Sequence, residues 1–471
     1  MANLASGSSV SLRFCREGTT RNKVPAAVGA PLSYTSIAPG TGDAVITVSG
    51  GGFTAGEYAA GQYLKLSGST PGANDGLYRI NSVDSDTVVT VEDAGGVLVD
   101  GTGTLELAFI ELLANGRSLN LEKDELESAR VNADGQQSDS RHGFNRVVGN
   151  PSFELSLQDF DPALELALAG LWTPVTIGTV TTLTATISPD NLARAAGSWI
   201  DDGIRQGDVI RLTGDNAGDW VVTQVVDGSN IRVSSDSGAT WAAGSPSAIS
   251  YPGARLDMGT GVETAVFERA FPDINQYQVF KGVAGNGIQA SVSPTEIVSM
   301  TWDLLGMSQD AWSGSALDES AVYVTPKNSP FAAFDGALYE DGTKIAVVTG
   351  MEFTINRNRQ TQPVVGSKFS PDVFEATSNI TGTASMFFEN ATLLNKFVDE
   401  TETQLTVTFR DPGNANNFMA WTLPRVKYNG GTIDPPTEGP VVIEVPFRAL
   451  LNSNLNGGVN TSFSIQRSNA N

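Results

Sequence analysis

The run from Ala114 to Trp172 decides the fold, because it reads as a strand, a long polar loop, a second strand and a helix. Its four pieces are ANGRSLNLEKDELES (114–128), ARVNADGQQSDSRHG (129–143), FNRVVGNPSFELSLQ (144–158) and DFDPALELALAGLW (159–172). A shorter version recurs as GMEFTINRNRQTQP (350–363), VVGSKFSPDVFEATS (364–378), NITGTASMFFE (379–389) and NATLLNKFVDET (390–401). The recurrence of one unit within one chain indicates a tandem duplication.

The second strand of each copy alternates with a period of two residues. In the first copy, one face carries Gly149, Pro151, Phe153, Leu155 and Leu157, and the other carries Asn150, Ser152, Glu154 and Ser156. In the second copy, the packed face is predicted to hold Gly382, Ala384, Met386 and Phe388, although Phe387 interrupts the pattern. Each strand should therefore pack on one face and meet water on the other.

A short helix is predicted after each of these strands. Asp161 is placed to cap the first free amides, Pro162 suits the first helical position, and Gly170 suits the end of the helix. Asn390 offers the same cap in the second copy.

Two segments rich in Gly, Ser and Thr interrupt the first copy, at residues 31–109 and 177–255. Both contain one motif, GQYLKLSG (61–68) in the first and GDVIRLTG (207–214) in the second. We interpret them as two copies of one small β-domain inserted at turns, where whole domains are tolerated. Because both enter the first copy, we expect both to sit on it and the second copy to be undecorated.

The predicted fold class is mainly β. A chain of 471 residues is too long for one core, and its 50 Gly and 22 Pro separate many short Val/Thr/Ile runs. The first large domain should comprise residues 1–30, 110–176 and 256–325, and the second residues 326–471. Each should be a β-sandwich with a short helix that can form part of a barrel.

Composition argues against catalysis and against nucleic-acid binding. Cys15 is the only thiol and His142 the only histidine, so a catalytic triad or a metal site would have to be built around one residue. We therefore expect no enzyme activity and no cofactor. The net charge of −23 opposes phosphate binding, which needs clustered Lys and Arg. Without a signal peptide or an apolar run long enough for a membrane helix, we expect a soluble protein assembled in the host cytoplasm.

Several of these runs resemble the tail tube protein of long-tailed bacteriophages. They are SLNLEKDELES, DSRHG, GNPSFELSLQDFDPALELAL, FERAFPDINQYQVFKG, SNITGTASMFFENATLLNKF and WTLPRVKY. The resemblance covers nearly all of the chain outside the two insertions. It implies a virion protein that stacks as rings into a hollow tube for DNA.

The resemblance also implies partners. A ring of this family contains six tube domains, so three copies of a two-domain chain should close one ring with pseudo-sixfold symmetry. The tube would form around a tape-measure protein and meet tail terminator and tail-tip proteins. DNA would pass through without specific binding, and no membrane is involved.

Physical reasoning assigns roles to two groups of residues. When strand edges join between neighbours and close a barrel, polar strand faces line its bore. Candidate lumen residues are Glu122, Glu154, Glu352 and Glu389, whose negative charge would avoid holding DNA phosphates. The long loops from Lys123 to Arg141 and from Arg357 to Ser378 are candidates for contact between subunits. Their candidate contact residues are Lys123, Asp139, Arg141, His142, Arg357 and Lys368.

A second function remains open from the sequence. The chain could be a surface-binding β-protein, such as an adhesin or a phage receptor-binding component, with its binding site on the inserted domains. Negative-stain images would show hollow rods or rings for a tube protein and discrete particles for the alternative.

Overall fold

The computed structural model describes residues 5–40, 42–93, 96–129, 134, 139–180, 182–187, 189–235, 239–324, 328–333, 336–345, 348–388, 392–411, 413–433, 438–453, 455–456 and 460–469. Within these ranges it contains 35 strands, two α-helices and two short 3₁₀ turns, at Gly7–Ser9 and Gly72–Asn74. The prediction of a mainly β fold is confirmed.

The first part of the chain runs from the N-terminal strand through the first insertion. Its strands are β1 (Ser11–Arg16), β2 (Leu32–Pro39), β3 (Gly42–Val48), β4 (Tyr63–Thr70), β5 (Gly76–Val83), β6 (Val88–Asp93) and β7 (Thr102–Leu107). Strands β2 to β7 close into a barrel in the order β2-β3-β6-β5-β4-β7. We call this barrel the first insertion.

The next part of the chain contains strands of the large sheet, the first helix and the second insertion. The elements are β8 (Phe109–Leu112), β9 (Asn120–Glu127), β10 (Ser140–Gly149), β11 (Ser152–Glu154), α1 (Asp161–Leu168), β12 (Trp172–Pro174), β13 (Leu183–Thr186), β14 (Asn191–Arg194), β15 (Val209–Gly214), β16 (Gly218–Val225), β17 (Asn230–Ser234) and β18 (Pro246–Ser250). Strands β13 to β18 form a separate six-stranded sheet, which we call the second insertion.

The remaining elements complete both units. They are β19 (Ala254–Asp257), β20 (Ala265–Phe271), β21 (Gln276–Val292), β22 (Ser299–Gly306), β23 (Ser308–Gln309), β24 (Val322–Val324), β25 (Gly336–Glu340), β26 (Thr343–Ile345), β27 (Val348–Asn356), β28 (Gln360–Thr361), β29 (Val373–Phe374), β30 (Asn379–Phe387), α2 (Thr392–Val398), β31 (Thr403–Asp411), β32 (Asn414–Tyr428), β33 (Thr432–Ile433), β34 (Val442–Ala449) and β35 (Ser464–Arg467). We call β1, β8–β11, α1 and β20–β24 the first half, and β25–β35 with α2 the second half.

The two halves repeat one strand order. In the first half the order is β9, β10 with β11, β22, and the end of β21. In the second half it is β27, β30, β34, and the end of β32. Strand β21 pairs with β27, from Gly287 opposite Asn356 to Val292 opposite Met351, so the two series form one continuous sheet. We call it the shared sheet.

One face of the shared sheet packs into a core that runs through both halves. Alternate positions along the ladders supply it, for example Phe153, Met300, Ala290 and Phe353, which follow one another across four strands. The predicted packed face of β11 is confirmed for Phe153. The prediction for Phe388 is wrong, because its side chain is exposed, like that of Phe387.

The helix boundaries differ from the sequence prediction. Helix α1 already includes Asp161, whose carboxylate does not cap the helix but pairs with Arg467 at 2.6 Å. The left-handed residue that ends the helix is Ala169 (φ 49°), and not Gly170. Glu400 (φ 51°) occupies the same position after α2. The predicted cap Asn390 lies outside the described residues.

Each insertion packs on a different half. In the first insertion, Gln62 donates to the Arg16 carbonyl at 3.1 Å. In the second, Val209 lies in a buried cluster with four residues of the second half, Ala337, Tyr339, Phe418 and Ala420. The expectation that both insertions sit on the first half is therefore wrong.

Two short strands explain this placement. Strands β12 and β19 flank the second insertion in sequence, and β19 pairs with β35 of the second half from Ala254 opposite Arg467 to Asp257 opposite Ser464. The chain thus crosses to the second half before the second insertion begins, which sequence order alone does not reveal.

Candidate assembly surface

Three of the four predicted lumen glutamates lie on the polar face of the shared sheet, opposite the core. Ladder pairs run from Glu154 to Ser299, Ser291 and then Glu352, so Glu154 and Glu352 stand in one row across four strands. Glu122 lies on the same face, one strand further out, opposite Arg146. Glu389 lies outside the described residues.

This face carries both signs of charge in nearly equal number. Its described strand positions include six carboxylates (Glu122, Asp124, Glu154, Asp303, Glu352 and Glu444) and five cations (Arg141, Arg146, Arg425, Lys427 and Arg448), a difference of 6 − 5 = 1 negative charge. Glu122 and Asp124 both pair with Arg146, at 3.1 and 3.5 Å. Glu154 accepts a hydrogen bond from Asn115 at 3.2 Å.

The loop that follows β27 lies on the first half. Arg357 is 1% exposed and donates to the Leu168 carbonyl at 2.9 Å, at the end of α1. It also pairs with Glu375 of its own loop at 2.8 Å. Further along, the Lys368 carbonyl accepts from the Asn145 amide at 2.8 Å. Two of the predicted contact residues, Arg357 and Lys368, therefore join the two halves within one chain.

Sequence reasoning missed a second arginine in this loop. Arg359 donates to the carbonyls of Gly261, at 2.7 Å, and Gly285. Burial, followed by the repulsion of Arg357, lowers the pKa of Arg359 to about 10. The signal was available, since NRNR (356–359) places two arginines directly after a strand where the first copy has Leu121 and Lys123.

The corresponding loop of the first half makes no such contact along its described part. Strands β9 and β10 form a hairpin in which Lys123, Asp139, Arg141 and His142 are all exposed. Arg141 lies 3.7 Å from Asp139, a pair that is exposed on both sides. These four predicted contact residues are thus accessible on the surface of a single chain.

A buried charge cluster fixes the first insertion to α1. Glu165 is 0% exposed, and its carboxylate meets Arg79 at 3.1 Å, the Tyr63 hydroxyl at 3.0 Å and the Trp172 amide at 3.0 Å. Arg16 lies 3.8 Å away. Burial raises the pKa of Glu165, although Arg79 and Arg16 act against that shift. A glutamate within PALELALA was a visible sign of a buried partner.

Asp161 lies beside this cluster at the start of α1. Burial raises its pKa to about 7, and the 2.6 Å pair with Arg467 offsets only part of this shift. The guanidinium of Arg467 also stacks over the Trp172 ring at 4.8 Å.

The described residues contain no group of three or more His, Cys, Asp or Glu side chains that could hold a metal ion. Among the described helices, none has the length and apolar character needed to cross a membrane. The described residues also present surfaces for association, namely unpaired sheet edges and an exposed hairpin.

Comparison with known proteins gives one family. A family model described as phage tail tube protein matches residues 7–449, which is nearly the whole chain. No curated protein matches the sequence.

Proposed function

Because the chain belongs to the phage tail tube protein family, we propose that three copies close into a ring and that rings stack into a hollow tube. The protein is a structural component of the bacteriophage tail and hence of the virion.

The joint between β21 and β27 carries the proposal. In this joint the last strand of one four-strand series pairs with the first strand of the next, through six residue pairs. Among the described residues, the corresponding edges at the two ends of a chain are unpaired: Lys427 and Tyr428 of β32, and the first part of β9. An unpaired strand edge of this kind is a template for pairing with another chain.

The internal joint also gives a register for the joint between chains. Lys427 of β32 corresponds to Gly287 of β21, because Lys427 is paired with Arg448 and Gly287 with Asp303. Asn120 of β9 corresponds to Asn356 of β27, because Asn120 is paired with Val148 and Asn356 with Asn379. Repeating the internal pairing then sets Lys427 opposite Asn120 of the next chain. Tyr428 would follow opposite Leu119.

Ring closure gives the two sheet faces different environments. The core face is covered by the helices and the outer strands of each half, which leaves the polar face for the bore. The row from Glu154 to Glu352 supports a lumen that repels DNA phosphates during ejection. A cationic wall would instead release counterions and hold the strand. A tape-measure protein, a terminator and tip proteins are proposed as partners at the bore and the two tube ends.

The insertions would lie outside the tube. Because one insertion packs on each half, the six insertions of a three-chain ring would be spread over all six halves, and not gathered on the three first halves as the sequence suggests. The assembly proposal can be tested by cryo-electron microscopy of tubes from purified protein. We expect three chains per ring and six projecting insertions, with the first and the second insertion alternating around the ring. Six whole chains per ring, or discrete particles without rods, would contradict the proposal.

The lumen proposal has a separate test in phage particles. Glu154→Lys with Glu352→Lys should leave tubes of normal length but slow DNA release, most strongly at low salt, where charges are least screened. The control is Asp190→Lys with Asp201→Lys, which makes the same charge change on the exposed second insertion. Equal release rates for both variants at every ionic strength would contradict an electrostatic role for the row.

A further inference from the structure

An empty groove lies between the second half and the second insertion, with a volume of about 650 Å³. Its walls include Glu402, Arg425, Leu451 and Asn452 of the second half and Arg205 of the second insertion. The strand joint and the proposed bore do not involve this groove.

The same place on the first half is filled. There Ala284 and Met307 form a small buried cluster with Val373, against Val262 and Leu305. Val373 belongs to the second half, in the loop that Arg357 and Arg359 fasten to the first half. The filled groove is therefore the seat of a loop from the neighbouring half.

Strand pairing identifies the two grooves as counterparts. Ala284 lies opposite Leu305 in the ladder between β21 and β22. In the second half, the Leu450 amide donates to the Arg425 carbonyl at 2.8 Å, one step beyond the pair of Val426 with Ala449. Arg425 thus takes the place of Ala284. Two residues after Leu305 is Met307, and two residues after Leu450 is Asn452.

Strand pairing also identifies the counterpart of Val373. The repeated runs SLN (118–120) and TIN (354–356) align Leu119 with Ile355. Six residues further on, Glu125 lies opposite His142 in one half, and Thr361 lies opposite Val373 in the other. In both halves the pairing shifts its register by one residue before this pair, because the second strand contains one extra residue. His142 therefore occupies the position of Val373, but it is exposed.

We propose that the groove between Glu402, Arg425 and Asn452 receives the His142 end of the β9–β10 hairpin from a second copy of this chain. This proposal rests on the ring proposed above and assigns it a second contact beside the strand joint. Each chain then gives one hairpin to the next chain, while its own second-half loop fills the groove of its first half.

The two seats differ in chemistry. Inside one chain the seat is apolar, with Val262, Ala284 and Met307 around Val373. Between chains it is charged, because Arg425 makes two 2.7 Å bonds to Glu402 and Lys427 lies 3.5 Å from the same carboxylate. A seat that is exposed to water before assembly has to remain soluble, whereas the internal seat is covered as the chain folds.

Cysteine crosslinking tests the contact. His142→Cys with Asn452→Cys should give covalent trimers in assembled tubes and uncrosslinked chains before assembly. The control is Val373→Cys with Met307→Cys, whose crosslink forms within one chain whether or not tubes are present. Native Cys15 should not interfere, because it is buried and burial raises the pKa of its thiol.

The outcomes separate this proposal from the ring proposal. Tubes that crosslink through the control pair but not through His142 and Asn452 would overturn the groove assignment and leave the ring intact. Covalent products longer than three chains would also overturn it, because the hairpin would then reach the next ring.

A measurement on the unmodified protein covers the case in which the cysteine variants do not assemble. Hydrogen exchange of wild-type tubes against unassembled chains should slow at residues 139–143 and at 450–453 together. Protection of the strand edges at 118–120 and 426–428 without protection of both of these segments would contradict the proposal.

Discussion

The two halves build the same contact between helix and outer strand with the charges reversed. In the first half, Glu165 of α1 faces Arg16 of β1 at 3.8 Å; in the second, Lys396 of α2 faces Glu340 of β25 at 3.1 Å. Arg16 pairs with Ala265 as Glu340 pairs with Leu405, so the positions correspond in the ladders. The two halves share the geometry of this contact and differ in its chemistry.

The difference extends to burial. Every residue of α1 is buried, because the first insertion, β12 and Arg467 cover it. In α2, Phe397 and Val398 are exposed. Helix α1 is thus covered within one chain, whereas α2 has an exposed apolar end.

The largest expected effect comes from giving α1 the charge of α2. Glu165→Lys would bury a third cation beside Arg16 and Arg79, and should destabilise the chain by more than about 5 kcal/mol, enough to prevent folding. The check is soluble yield together with urea unfolding. Arg16→Glu combined with Glu165→Lys should recover part of the loss by restoring one ion pair. Equal loss in the single and double variants would show that the reversed pairs are not equivalent.

The second prediction compares the buried contact that Arg357 makes between the two halves with the groove at Arg425. Arg357→Met leaves the Leu168 carbonyl and Glu375 without their buried donor, and should lower the free energy of unfolding by about 3 kcal/mol. Arg425→Met, at the exposed counterpart groove, should leave unfolding of the single chain almost unchanged and reduce assembly. Urea melts and sedimentation of tubes measure the two readouts. A stability loss of the same size in both variants would contradict the view that only the Arg357 contact stabilises the single chain.

The charge cluster of α1 also predicts a pH dependence. A carboxyl whose pKa is raised from 3.8 to about 7 binds more protons when folded, so the stability it contributes is present below about pH 4 and lost as pH rises through 7. The Asp161→Asn variant has no ionisable carboxyl at this position, so it does not lose stability in this way as the pH rises. The variant should therefore gain on the order of 2 to 3 kcal/mol relative to wild type between pH 4 and 7. A difference in unfolding free energy that stays constant over this range would contradict the raised pKa.

The smallest effect concerns how the second insertion meets the second half. Gly207 has a φ of 91°, and an added Cβ would lie 2.5 Å from Thr406 Oγ1 and 2.7 Å from Thr422 Oγ1. Gly207→Ala should cost about 1 to 2 kcal/mol and make residues 177–255 more sensitive to protease. Gly314→Ala is the control, since no atom lies within 4 Å of its added Cβ. Unchanged protease sensitivity would argue that the insertion tolerates a shift at this contact.

Much of the sequence prediction was based on strand patterns. These patterns failed where contacts between distant segments determine which side chains are buried. Alternation identified the buried side of β11 correctly, because period-2 patterning follows from strand geometry alone. It failed at Phe388, which lies where the strand leaves the sheet. Cap chemistry placed the end of α1 at Gly170, but backbone packing put the left-handed turn at Ala169, one residue earlier.

The assembly residues divide in the same way. The sequence singled out the two long loops, since loops of that length in a compact domain are usually functional. It could not tell that Arg357 would be buried between the halves while His142 would remain exposed, because both stand in polar runs of similar composition.

Residue order and periodicity alone predicted the family and the mainly β class, and both predictions are confirmed. They also predicted a duplication and two inserted modules, because the repeated runs are visible in the sequence. Only the tertiary structure decided where those parts meet. Strand β19 pairs with β35 across 207 residues of chain (464 − 257 = 207), so the second insertion packs on the half it does not interrupt. Pairing over such distances depends on which strand edges are unpaired and which apolar sheet faces are uncovered. Neither property can be predicted from a local stretch of the sequence.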